Sequence, residues 1–224
     1  MLENTLFSSS KIPLIKKLLI IKLWCTKIKL SAISEITKVS KQSINKVMKR
    51  LYKTLELNFE EHQDKIGGER IIVEVDESKF GKVKYNKGHR VDEVWIFGMV
   101  EKTIARKIVL AKVDNRKKET LEELALKYIN CGSIIHSDCW KAYNNFKNIF
   151  AEHLKVNHSQ NFVCPITKTH TNTIEGNWYG VKNQIENTHR KKKFITPYLI
   201  RYMLRRNFKD DIFKEVLKML LIKS

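Results

Sequence analysis

Between residues 70 and 114 three strand-like runs follow one another. "RIIVEVDESKF" (70–80), "VWIFGMVEK" (94–102) and "IARKIVLAKVD" (104–114) are rich in Val and Ile, and the first alternates as a half-buried strand does. A tight turn separates the second from the third, so the three predict a meander. The period then changes. "KKETLEELALKYI" (117–129) predicts a helix, "SIIHSD" (133–138) a short strand after Gly132, and "CWKAYNNFKNIF" (139–150) another helix. "EHLKVNH" (152–158) predicts a brief strand, and Asn172 to about Glu186 a long helix. Consecutive strands followed by strands spaced by helices require a mixed α/β sheet with helices covering it.

Strand, strand, strand, helix, strand, helix, strand, helix is the order of a ribonuclease H-like α/β domain. Ahead of it, "SAISEITKVSKQSINKVMKRLYK" (31–53) carries apolar residues at Ile33, Ile36, Val39, Ile44, Val47, Met48 and Leu51, broken near "KVSKQS". That is two helices around a short turn, with Ser40 placed to cap the second. One reading is a helix-turn-helix whose second helix enters a major groove with Gln42, Asn45 and Lys46 near base edges and Lys49 beside them. The other is an ordinary packed helical hairpin with a basic rim. The polar, glycine-containing "HQDKIGGERI" (62–71) reads as the joint. The expected layout is a helical module at 1–62, a catalytic α/β domain at 70–208 and a C-terminal helix at 209–224.

Charge points to the partner. The chain has 43 basic and 24 acidic residues among 224, a net charge of +19 spread from end to end. Such a balance fits a polyanion, most often nucleic acid. Cys25, Cys131, Cys139 and Cys164 are scattered without C-x-x-C spacing, so no zinc ribbon is encoded and reduced thiols inside a cell are expected. The compartment would be the cytoplasm in a bacterium and the nucleus in a eukaryote. "IPLIKKLLIIKLWC" (12–25) is interrupted by Lys16, Lys17 and Lys22 and is too short to span a bilayer, so it reads as an amphipathic helix and no membrane role is expected.

Three acids fall in telling places: Asp76 near the end of the first strand, Asp138 at the end of the fourth, Glu175 early in the late helix. In a ribonuclease H-like sheet the first and fourth strands are neighbours, and the late helix passes over their carboxyl ends. Three carboxylates meeting there would repel one another unless cations sat among them. Two Mg²⁺ or Mn²⁺ ions resolve the repulsion and supply chemistry at phosphorus. Glu74 and Glu77 compete as ligands, since Glu74 shares the strand face of Asp76. Asp138 has an ordinary alternative as a helix cap. Lys182 follows Glu175 by seven residues, two helical turns, so an acid and a base leave one helical face.

The blocks "VEVDESKFGKVKYNKGHR", "HSDCWKAY" and "NHSQNFVCPITKTHTNTIEGNWYGVKNQI" resemble the DDE transposases of the Merlin superfamily and the related bacterial insertion-sequence (ISXO-type) transposases, from about Arg70 to Phe208. The resemblance implies that Asp76, Asp138 and Glu175 are the metal-binding triad and that Lys182 contacts DNA near the cleaved phosphate. It implies a metal-dependent enzyme that cleaves double-stranded DNA at inverted repeats and transfers strands to a target, as a homo-oligomer on DNA. A domesticated or decayed copy that binds DNA without cutting it is the alternative, and a ribonuclease or junction resolvase on the same fold ranks below both.

Two departures stand out. Relatives often begin with a cysteine-rich zinc ribbon, so a short or truncated form is expected, and "CPITKTH" lacks the usual glycine before its histidine. "YNKGHR" (85–90) would bring Lys87, His89 and Arg90 to backbone phosphates. His170 either sits near the scissile phosphate or is structural, and Asn172 is placed to cap the late helix. Trp140 and Tyr143 either stack on a flipped base or belong to the core. The final basic helix would lie along DNA.

Overall fold

A computed structural model describes residues 11–26, 28–81, 93–157, 163–165, 167–185, 190, 192–209 and 211–221. Two compact units emerge, Met1–His62 with Phe208–Ser224 and Gln63–Asn207. The larger unit is built on β1 (Ile72–Phe80), β2 (Val94–Glu101), β3 (Ile108–Val113), β4 (Ile134–Asp138) and β5 (Glu152–Val156), in the spatial order β3-β2-β1-β4-β5. β1, β2 and β3 pair antiparallel, whereas β1 with β4 and β4 with β5 pair parallel. A parallel return needs a crossover, and the chain supplies a helix between β3 and β4 and another between β4 and β5.

Among the described residues, four helices lie wholly in the first unit: α1 (Leu14–Cys25), α2 (Leu30–Thr37) and α3 (Lys41–His62) precede the sheet, and α7 (Ile212–Leu221) closes the described chain. α4 (Lys118–Tyr128) is the first crossover, and α5 (Asn172–Gln184) and α6 (Thr196–Phe208) follow β5. The second crossover, read from sequence as an ordinary helix, is a 3₁₀ helix over Lys141–Asn148. Residues three apart stack in register in a 3₁₀ turn. Tyr143 and Phe146 use that spacing, both fully buried with ring centroids 5.3 Å apart. Asn144, Asn145 and Asn148 on the outside have little preference for an α-helix.

Both faces of the sheet are covered. The 3₁₀ helix lies on the face of Phe97, whose ring stacks on Tyr143 at 6.3 Å. α5 covers the opposite face, and α6 ties to it through Tyr202, whose hydroxyl donates to Asn177 Oδ1 at 2.7 Å. α6 also shields the β3 edge. Asn207 accepts from Ile108 N at 2.8 Å and donates to Ile108 O at 2.9 Å, satisfying backbone groups that an open edge would present for pairing.

In the first unit α2 and α3 are joined by Lys38–Ser40. Lys38 takes a left-handed φ of 52°, and Ser43 N donates to Ser40 Oγ at 3.3 Å, capping α3. α3 buries Ile44, Val47, Met48, Leu51, Leu55 and Phe59 along one stripe. α7 docks onto this unit through Val216, Met219 and Leu220; Asn58 Nδ2 donates to Met219 O at 2.7 Å, and Glu215 pairs with His62 at 2.8 Å. No helix among the described residues is long and apolar enough to cross a membrane.

Candidate active site

β1 sends alternate side chains to opposite faces, and this decides what each of its acids can do. Glu74, Asp76 and Phe80 face α5. Trp178 Nε1 donates to Asp76 Oδ2 at 2.8 Å, the Trp178 and Phe80 rings meet edge-on at 6.2 Å, and Lys182 Nζ lies 5.3 Å from the Phe80 ring centroid. α5 therefore runs along β1 in the same direction. Its close approach depends on Gly98 of β2, paired with Asp76 across the ladder: a Cβ there would stand 2.6 Å from the Trp178 ring and 2.8 Å from Ile174.

Asp138 reaches the same face from β4. The parallel ladder pairs Ile72 with Ile134 and Glu74 with His136, and Asp76 and Asp138 stand two residues further along each strand. Trp140 N donates to Asp138 Oδ1 at 2.9 Å, so Asp138 orders the turn before the 3₁₀ helix, whose N-cap is Trp140. Glu175 projects from the first turn of α5, exposed, with Thr171 Oγ1 donating to its Oε1 at 2.8 Å. Each acid is thus oriented by a donor of its own.

The electrostatics tie them together. Burial above all, with the charges of Asp138 and Glu175 adding to it, pushes the Asp76 carboxyl up to about 6 against the pull of the Trp178 N–H. All three act on one region. Among the described residues, however, no group of three His, Cys, Asp or Glu side chains stands close enough to hold a metal ion as arranged. An all-carboxylate donor set of this kind suits hard cations such as Mg²⁺ or Mn²⁺.

The competing acids have other work. Glu77 points to the opposite face, where the Tyr143 hydroxyl donates to it and burial pushes its carboxyl up to about 7. Glu74 has no solvent exposure and closes the N-terminus of α5. It accepts from Thr173 N at 2.8 Å, Thr173 Oγ1 at 2.9 Å and Ile174 N at 3.0 Å, an anion on the unsatisfied donors of a helix start. His170 Nδ1 approaches Glu74 at 3.2 Å while Lys102 Nζ meets its Nε2 at 2.7 Å, so this ring braces the capped turn. Asn172, expected as the cap, is exposed, and the N-cap is Thr171. The C-terminal end of α5 is closed by Arg190, which donates to Ile185 O at 2.9 Å and to Lys182 O.

Gln42, Asn45, Lys46 and Lys49 are exposed on α3, and Lys46 also lines, with Lys17, Ser43 and Arg50, a cavity of about 220 Å³. Lys87, His89 and Arg90 lie outside the described residues. Tyr143 belongs to the core, as one of its two readings had it, and Trp140 is half-buried beside it.

No curated protein matches the chain. Among protein families, the ISXO2-like transposase domain matches residues 65–211, more than half of the sequence. That span takes in every strand of the sheet together with Asp76, Asp138 and Glu175, and the chain accordingly belongs to the ISXO2-like family of DDE insertion-sequence transposases.

Proposed function

We propose that this chain cuts double-stranded DNA at the inverted repeats bounding its own element and joins the freed 3′-hydroxyls to target DNA, with Asp76, Asp138 and Glu175 as the metal-holding acids. The observation that supports this is the placement of Asp76 and Asp138 on the sheet face covered by α5, the helix that carries Glu175, in a chain of a DDE transposase family. Two divalent cations bound there would activate an oxygen nucleophile and stabilise the leaving oxygen in an in-line displacement at phosphorus. Water attacks first, releasing the 3′-hydroxyl, which then attacks a target phosphodiester; no covalent bond to the protein is required. The protein's part is to hold the acids in place: Trp178 orients Asp76, the Trp140 N–H orients Asp138, and Thr171 orients Glu175.

The exposed α3 residues Gln42, Asn45, Lys46 and Lys49 would grip the repeat in the manner of a helix-turn-helix, and assembly on DNA would pair two copies. The assay is divalent-cation-dependent nicking of a duplex ending in the element's own inverted repeat. Nicking at the repeat end is expected, and its absence with a folded protein and bound DNA would count against the proposal.

Lys182 supplies phosphate neutralisation from the face of Glu175. Its ammonium lies over the Phe80 ring, so Lys182→Met, an uncharged side chain of similar length that still packs there, isolates the charge. Loss of a charge-assisted contact worth roughly 1.5–3 kcal/mol predicts a fall of about tenfold to a hundredfold in cleavage. The unfolding midpoint should barely move, by about 0.5 kcal/mol or less in stability. Cleavage at the wild-type rate would remove Lys182 from the site.

A further inference from the structure

On the face of the sheet away from α5, an arginine is held in an unusual setting. The Arg116 guanidinium lies 3.6 Å from the ring centroid of Trp95 and 5.0 Å from that of Trp140, so two indoles flank it. Its turn is fixed on both sides: Asn115 Oδ1 accepts from Lys117 N and from Thr120 Oγ1, both at 2.9 Å, and Asp114 pairs with Lys192 at 2.6 Å. Trp140 is the residue whose N–H holds the Asp138 carboxylate. Arg116 acts electrostatically on Glu77, the acid next to Asp76 in sequence. Yet among the described residues its donors enter no hydrogen bond or ion pair.

We propose that Arg116 is a second phosphodiester-binding residue, receiving DNA backbone on the side of the carboxylate centre opposite Lys182. A guanidinium stacked on indoles keeps its plane and charge while its N–H edge stays available, and that edge matches two phosphate oxygens at once. Stacking also removes most of the rotamer entropy that a free arginine loses on contact. With Lys182 on α5 and Arg116 in the turn between β3 and α4, stacked on the other face of the sheet, a cation stands on each side of the sheet that carries Asp76 and Asp138, as an enzyme engaging cleaved and target DNA together requires. This rests on the DNA-cutting reading above.

The alternative is a latch, in which stacking only fastens the turn before α4. Salt dependence separates the two. Binding of a mixed-sequence duplex should weaken with salt, and each lost phosphate contact lowers the slope of log affinity against log salt by about one. Arg116→Met keeps a side chain that packs on indoles but carries no charge. It should lower the slope by about one and the affinity by about tenfold. Arg116→Lys should retain the slope while binding several-fold more weakly, and Arg116→Met with Lys182→Met should lower the slope by about two. An unchanged slope in folded Arg116→Met, with the wild type binding normally, overturns the proposal and leaves the latch. No salt-dependent binding by the wild type would overturn this proposal and the DNA-cutting reading together.

Discussion

Replacing Asp76 by asparagine should lower cleavage of element ends by on the order of 10³ or more, because the amide cannot hold a divalent cation in place of the carboxylate. The same change should make the metal-free protein more stable at neutral pH. Asp76 is pushed up from 3.8 to about 6, mainly by burial, so the folded state holds its proton more tightly than the unfolded chain. Stability from that group is therefore complete below about pH 4 and is lost as pH rises through about 6. Asparagine carries no charge to bury. At neutral pH the variant should gain on the order of 1–3 kcal/mol over the wild type, and the gap should close in acid. Denaturant melts across this pH range, with cleavage measured in parallel, check both halves. A variant that loses cleavage and stability together would mean a folding role for Asp76.

Glu74 should show the converse pattern, a large loss of stability from an acid that caps a helix. Its carboxylate is buried against two backbone N–H groups and a hydroxyl of α5. Glu74→Ala leaves those donors without an acceptor and should cost roughly 3–5 kcal/mol. Glu74→Gln keeps one oxygen but turns an amide N–H toward like groups, and should cost about 1–3 kcal/mol. Cleavage should fall as well, since the first turn of α5 carries Glu175. Urea unfolding monitored by tryptophan fluorescence gives the stability. Wild-type stability in Glu74→Gln, combined with loss of cleavage, would return Glu74 to the list of metal ligands.

That Asp76 and Asp138 share a sheet face was legible in the sequence, because strand period and element order constrain where strand side chains point, although Asp76 stands in the middle of β1 rather than near its end. The sheet order followed from the same logic. What sequence left open was the division of labour among neighbours. Glu74 and Asp76 share a face, so alternation cannot separate them; only the seating of α5, about a hundred residues later, gives Glu74 its cap. Gly98 reads as a weak point in β2 until Trp178 occupies the space it leaves. Arg190 sits in a basic run that looks like a DNA-binding strip, yet its guanidinium closes α5. The 3₁₀ helix has no distinct sequence signature, because Tyr143 and Phe146 fit α and 3₁₀ spacing equally well. Arg116 carried no signal at all, since its indole partners come from β2 and from beyond β4.

The most direct test of the account is the position of the metal. Crystals of the protein bound to an element-end duplex in Mn²⁺, measured near the manganese absorption edge, should give anomalous density bounded by carboxylate oxygens of Asp76, Asp138 and Glu175, with Glu74 still capping α5. Density at Glu74 or Glu77 instead, or none beside the three acids under conditions in which the same preparation cleaves DNA, would contradict it.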